Sequence, residues 1–294
     1  MLSRILRMSG VIAMALSSFM VVSAPTNTEK APNITLNGAH VSGGLIIGEV
    51  KGAVAVELNG NALPITDSGH VVFGFGRDVS GPQSLVLTDI TGQRFTRVID
   101  IKPRNYKIDR VDGVPQKTVT PDPEQQARAR KEAAKVWKAR NNAISERVDF
   151  LAPIKMPASG RISGVYGSQR IFNGTPRNPH FGLDIAAPTG TPVLAPWSGR
   201  VVLAEDDLFY SGGTLIIEHG YGVTSTYIHL HKLHVQVGDE LQQGDRIAEI
   251  GATGRVTGPH LDWRINWRHE RLDPALAIEF FSEAATNPVP AADR

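Results

Sequence analysis

The sequence predicts a mainly β protein: an N-terminal immunoglobulin-like β-sandwich, a linking α-helix and a C-terminal antiparallel β-roll. Three observations carry this expectation. Short apolar runs punctuated by Gly, Asn and Asp turns fill residues 34–112; a basic segment with a proline-led start follows; and β-like runs with Gly and Pro at their joins resume from Met156 to Phe281.

Taken in order, residues 1–24 read as a signal peptide. Arg4 and Arg7 precede an apolar run from Val11 to Val22, which is short for a membrane span and ends in Ser23-Ala24. Pro25 directly after it disfavours cleavage at that junction, so a membrane tether is expected only if the segment is retained. Residues 25–33 form a polar linker. The sandwich (34–112) is assembled from runs such as Val54-Ala55-Val56-Glu57-Leu58 and Val71-Val72-Phe73-Gly74-Phe75, with Asn59-Gly60-Asn61 and Ser80-Gly81-Pro82 as turns. It holds no cluster of histidines and carboxylates, which points to a spacer or binding domain.

Residues 113–150 comprise a linker and a basic helix. Asp122 suits the N-cap, Pro123 the first helical position and Gln125 the capping box, and the helix is expected to run to about Val148. Its apolar stripe is narrow, and the rest is Arg and Lys, the pattern of a solvated face. The C-terminal domain spans 151–281, with a tail at 282–294. In it Val235-Gln236-Val237-Gly238-Asp239 is nearly repeated through Gly244-Asp245, a phrase shared with biotinyl and lipoyl carriers. Those carriers need a lysine at a hairpin tip, and Ala252-Thr253-Gly254 supplies none.

Composition narrows the function. With 41% hydrophobic and 20% charged residues the chain can bury substantial cores, and a net charge of +2 gives no field for nucleic acid, so no nucleic-acid partner is expected. The absence of cysteine removes disulfides, thiolate metal ligands and a cysteine nucleophile, so any transition metal must be held by His and carboxylate. His180 and Asp184 stand four apart, and on an extended segment even separation puts both on one face, with Gly182 between them leaving that face open. Two further apolar segments, Tyr227-Ile228-His229-Leu230 and Gly258-Pro259-His260-Leu261-Asp262, add two histidines and a carboxylate. His219, His231, His234 and His269 are read as surface or loop residues.

In the wording and order of these three motifs, residues 156–270 resemble the lysostaphin-type (LytM-like) zinc metallopeptidases, peptidoglycan endopeptidases that cut peptide cross-links of bacterial cell walls. The sandwich-plus-helix half resembles exported proteobacterial members. The resemblance implies a LytM-type β-roll, one Zn2+ per chain, with Mn2+ as the alternative, and His180, Asp184 and Asp262 as metal ligands. His229 and His260 then act jointly on the water and the oxyanion. The family's third ligand is the second histidine of H-x-H, and here that position is Asp262. Two anionic ligands would weaken the pull of the metal on its water. The implied substrate is the peptidoglycan stem peptide, the implied compartment the periplasm, and an amidase or divisome component the implied protein partner. Two functions follow: a metalloendopeptidase, or a weakly active or inactive module that binds the wall or activates an amidase.

Overall fold

The computed structural model describes residues 31–111, 122–142, 144–172 and 174–283. The expected signal peptide with its Pro25 junction, most of the 25–33 linker, residues 113–121 and the tail after 283 lie outside the described residues. Among the described residues no helix is long and apolar enough to cross a membrane.

The first seven strands are β1 (Asn33–Gly38), β2 (Leu45–Lys51), β3 (Ala55–Leu58), β4 (Asn61–Leu63), β5 (His70–Gly74), β6 (Gly81–Thr88) and β7 (Arg94–Ile101). They form two antiparallel sheets, β1-β2-β5 and β4-β3-β6-β7, which is the expected sandwich. Alternation explains how the second sheet faces inward: Leu85 and Leu87 of β6 and Ile99 and Ile101 of β7 are buried, while Val98 is exposed. The β3–β4 turn is Asn59-Gly60, with φ of 50° and 78°, the left-handed pair that a two-residue hairpin of matching twist requires. Strand β5 is buried on both faces because a second layer covers its outside. A Cβ at Gly74 would lie 2.6 Å from Leu272 Cδ1 of the C-terminal region.

Two elements connect the halves: β8 (Ile108–Val111) and helix α1 (Pro123–Asn141). Asp122 caps α1 by accepting from the Gln125 N–H, as its sequence indicates. The helix stops at Asn141 rather than near Val148. The chain beyond is held against the next domain instead: the Ser145 carbonyl accepts from Tyr221 N–H, and Arg147 pairs with Asp149 and Glu240. No α1 residue is buried. It docks through polar contacts, Arg128 to Asp207, Lys135 to Glu205, and the Phe209 N–H to Glu132.

The C-terminal strands are β9 (Arg161–Gly164), β10 (Gln169–Phe172), β11 (Thr175–Pro176), β12 (Leu183–Ala186), β13 (Pro192–Leu194), β14 (Gly199–Leu208), β15 (Gly212–Gly220), β16 (Val223–Leu233), β17 (Glu240–Leu241), β18 (Arg246–Ile250), β19 (His260–Trp267) and β20 (Glu270–Leu272), followed by α2 (Pro274–Phe281). The main sheet runs β17-β14-β15-β16-β19-β12-β9, with β18 and β20 paired to β16 and β19. The repeated phrase builds the same turn twice: Gln236 N–H donates to Asp239 Oδ2 and Gln242 N–H to Asp245 Oδ2, both at 2.8 Å.

The residues from Ala31 onward cluster as one compact unit. Parallel pairing of β8 with β10 is one tie between the halves. Asp273 is another. It is 4% exposed, caps α2 by accepting from Ala275 N–H, receives Arg104 Nη1 at 2.9 Å, and donates its own N–H to the Gly43 carbonyl. Asp273→Ala removes a cap worth about 1 kcal/mol and strands a partly buried guanidinium, for a total loss of about 3 kcal/mol. Asp273→Asn keeps the cap and should lose less. Urea midpoints at unchanged m-value check this, and equal losses for the two variants would contradict it.

Candidate metal centre

Strand pairing brings the sequence-distant motifs together. Asp184 of β12 lies directly across from Asp262 of β19, and Ala186 across from His260. His180 precedes β12 in a loop pinned by two backbone bonds, Gly167 N–H to the His180 carbonyl and His180 N–H to the Ser168 carbonyl, both 2.8 Å. Its ring nitrogens lie 3.2 Å from Asp184 Oδ1 and 3.9 Å from Asp262 Oδ2. One donor atom from each of His180, Asp184 and Asp262 lies within 4.8 Å of the others. A tetrahedral centre with bonds of about 2.1 Å separates its donors by about 3.4 Å, so a small contraction would suffice.

Two observations show that this cluster suits a cation. His180 Nε2 and Asp184 Oδ1 are buried, face each other at 3.2 Å and have no other hydrogen-bond partner, an arrangement that a cation between them would satisfy. The carboxylates are also given room by glycines. A Cβ at Gly164 would strike Asp184 Oδ2 at 2.2 Å, and one at Gly182 would strike Asp262 Oδ1 at 2.0 Å. For His180, burial works against the charged form, but the Asp184 and Asp262 carboxylates outweigh it and raise its pKa.

Asp262 is 3% exposed and carries a partner that sequence reasoning missed. Arg264 donates Nε to Oδ1 at 2.9 Å and Nη2 to Oδ2 at 2.5 Å, a two-pronged pairing. Burial alone would raise the Asp262 pKa, yet the guanidinium overrides burial and holds it down at about 2. The signal was present in the sequence: Arg264 stands two after Asp262, the spacing that shares a face on a strand.

His229 and His260 stand beside the carboxylates, ring centroids 4.9 Å apart. His229 lies in β16 at φ 68°, a left-handed conformation that disfavours any residue with a Cβ and holds the ring off the regular strand path. Each Nδ1 faces a carbonyl, Thr253 for His229 and Gly258 for His260, both at 2.9 Å. A carbonyl only accepts, so Nδ1 carries the proton and each Nε2 presents a lone pair. His260 Nε2 is 4.0 Å from Asp184 Oδ1. Burial lowers the His229 pKa, outweighing the Thr253 carbonyl and the Asp262 charge that raise it.

Of the other histidines, His231, His234 and His269 are exposed, but His219 is not a surface residue. It sits wholly inside, bonded to the Ser198 carbonyl and to Ser225 Oγ, both at 2.7 Å, with Trp197 against its ring. It lies in β15, a strand buried along its whole length, which an isolated histidine in a sequence does not reveal.

Residues 178–274 match the model of Peptidase family M23. Over 106 residues the chain is 41% identical to a Vibrio cholerae peptidoglycan DD-endopeptidase, ShyA, covering 36% of this chain and 24% of that protein. It is 39% identical over 118 residues to a Pseudomonas aeruginosa NlpD/LppB lipoprotein homolog, covering 40% of this chain and 37% of that one. The chain thus spans about a quarter of the length of the first of these relatives. A solved structure assigned to peptidase M23 from Pseudomonas aeruginosa superposes with a TM-score of 0.58 at 26% identity, covering 81% of this chain and 94% of the other. That likeness extends through sandwich and β-roll together.

Burial lowers the His219 pKa to about 4 from 6.5. As pH falls below 6.5 the unfolded chain takes up a proton that the folded chain refuses. The stabilisation is therefore complete above about pH 6.5 and lost towards pH 4, about 3 kcal/mol in all. Chemical denaturation across that window should show the slope, and His219→Gln should remove it. An unchanged slope in the variant would contradict the assignment.

Proposed function

From the match of residues 178–274 to Peptidase family M23 and the geometry above, we propose that the chain is a periplasmic metalloendopeptidase that hydrolyses peptide cross-links of peptidoglycan. The observation that carries the reading is the convergence of His180, Asp184 and Asp262 on one point, with orphaned donor atoms, beside two histidines whose Nε2 atoms are free. The proposed ligands of one divalent metal, zinc or alternatively manganese, are His180, Asp184 and Asp262. Such a metal supplies Lewis acidity that makes water nucleophilic at neutral pH.

The remaining steps belong to the chain's own side chains. His229 and His260, with Nδ1 fixed as donor to a carbonyl, each offer Nε2 to accept a proton from the attacking water or return one to the leaving amine. Once protonated, either imidazolium donates to the developing oxyanion. Counting ligands from the sequence gives two carboxylates and an electron-rich centre. Arg264 changes that count. Its charge offsets one carboxylate, so the Asp262–Arg264 pair presents the same net charge as the neutral histidine it replaces, and the Lewis acidity expected of a His-Asp-His set is retained.

A second reading, a wall-binding or amidase-activating module without turnover, draws support from one observation: both oxygens of Asp262 already bond to Arg264. The relatives named for peptidoglycan endopeptidase activity favour hydrolysis. Cross-linked muropeptides separate the two. The metal-loaded chain should release uncross-linked products, chelation should stop release and added zinc restore it, and His229→Ala and His260→Ala should each lose about 10²-fold or more. A folded, metal-loaded chain that binds muropeptides without cutting them would overturn the hydrolase reading.

A further inference from the structure

Next to the metal cluster lie three arginines that form no ion pair. Among the described residues, Arg140 of α1, Arg268 at the β19–β20 turn and Arg271 of β20 have no carboxylate partner, in contrast to Arg264, which Asp262 occupies. Arg271 stands across from Asn266 in the β19–β20 pairing, and its guanidinium lies 4.7 Å above the ring of Phe181, the neighbour of His180. Arg268 stacks over Trp267 at 5.0 Å. Burial, then the charge of Arg264, lowers the Arg140 pKa, and burial followed by Arg264 and Arg140 does the same for Arg271. The folded chain thus concentrates like charge in a half-buried place, which destabilises it unless an anion is to be received.

The cavity between the end of α1 and the β19–β20 turn has the complementary lining. It measures about 310 Å³ and is walled by Trp137, Arg140, Asn141, Ile144, Arg268 and His269, with no carboxylate among them. Two of its donors, Asn141 Nδ2 and Arg268 Nε, are buried and unpartnered. Trp137 and His269 stack at 6.0 Å to close one side. The neighbouring sheet face continues the pattern towards the metal cluster, for Thr224 Oγ1, Thr226 Oγ1 and Asn266 Oδ1 are also buried without partners. Donors and cations at the far end, with acceptors and hydroxyls between, describe a track for an extended polar chain with an acidic group at its end.

We propose that Arg140, Arg268 and Arg271 form a carboxylate-binding subsite that holds an acidic group of the stem peptide beside the proposed metal site. The proposal rests on the peptidoglycan reading above. Arg271, over Phe181, marks the end of the subsite nearer the proposed ligands, and Arg268, at the β19–β20 turn, the end farther from them. Guanidinium pairs recognise carboxylate and phosphate alike. Carboxylate is chosen because the proposed substrate carries it on every stem.

The test uses the full-length, metal-loaded chain and an uncross-linked stem peptide, which offers no cross-link to cut. Calorimetric titration compares the free-acid peptide, the same peptide with amidated carboxylates, and inorganic phosphate. Amidation should weaken binding by about tenfold or more, and Arg140→Gln and Arg268→Gln should each weaken the free acid by about tenfold while leaving the amide unchanged. Arg140→Lys, which keeps charge but loses the fork, should fall between. Equal binding of acid and amide, variants that bind like wild type, or phosphate binding tighter than the acid would each overturn the subsite. Arginine-dependent acid binding in a chain that never cuts muropeptides would leave the subsite standing and remove the hydrolase reading. Cleavage of acidic and amidated muropeptides at equal kcat/KM would do the reverse.

Discussion

Asp184 and Asp262 face each other across adjacent antiparallel strands, and two like charges so placed repel unless a cation stands with them. The rest of the site is arranged around that constraint. Arg264 neutralises Asp262 from one side, His180 approaches both carboxylates from another, and glycines at 164 and 182 leave room for the two carboxylates themselves. Removing Arg264 alone would leave a buried, uncompensated carboxylate, a change that typically destabilises by about 3–5 kcal/mol. Asp262 and Arg264 therefore act as one unit, the carboxylate kept ionised by the guanidinium that bonds both of its oxygens.

The sandwich contributes to the site through packing. Gly167, whose N–H holds the His180 carbonyl, packs so closely on Tyr106 that a Cβ there would lie 1.9 Å from the ring. Arg77 stacks over Tyr106 at 4.5 Å and donates Nε to the Gly167 carbonyl at 2.9 Å. Tyr106 in turn donates to carbonyls of Ser42 and Arg77. A line of contacts thus runs from the loops of the N-terminal sheet to the loop bearing the first proposed ligand. The N-terminal half sets the position of His180 without supplying a ligand of its own.

Much of this was legible from residues alone, for physical reasons that differ by element. Strands with one buried face announce themselves by alternation, as in Leu85 and Leu87, and the Asn59-Gly60 turn by its need for left-handed backbone. His260 and Asp262 were legible as a pair because even spacing on β19 puts both on one face, whereas His180 reaches Asp184 from a loop ahead of β12 and not along a strand. What was not legible depended on contacts between distant segments. The helix stops early because residues 145–147 find partners on Tyr221 and Glu240, neither visible locally. His219 is buried because its strand is central. The arginine group escaped notice because Arg140 reaches it from a helix read as solvated, more than 120 positions before Arg268 and Arg271.

The central claim is that His180, Asp184 and Asp262 bind one divalent cation while Arg264 shares Asp262. Calorimetric titration of the chelator-stripped chain with Zn2+ tests it most directly. The account predicts a single site in the wild type, its loss in Asp262→Ala, and weakened binding in Asp262→His, which leaves the Arg264 guanidinium without its carboxylate beside the cation. A wild type that takes up no metal, or an Asp262→Ala chain that binds as wild type does, would contradict it.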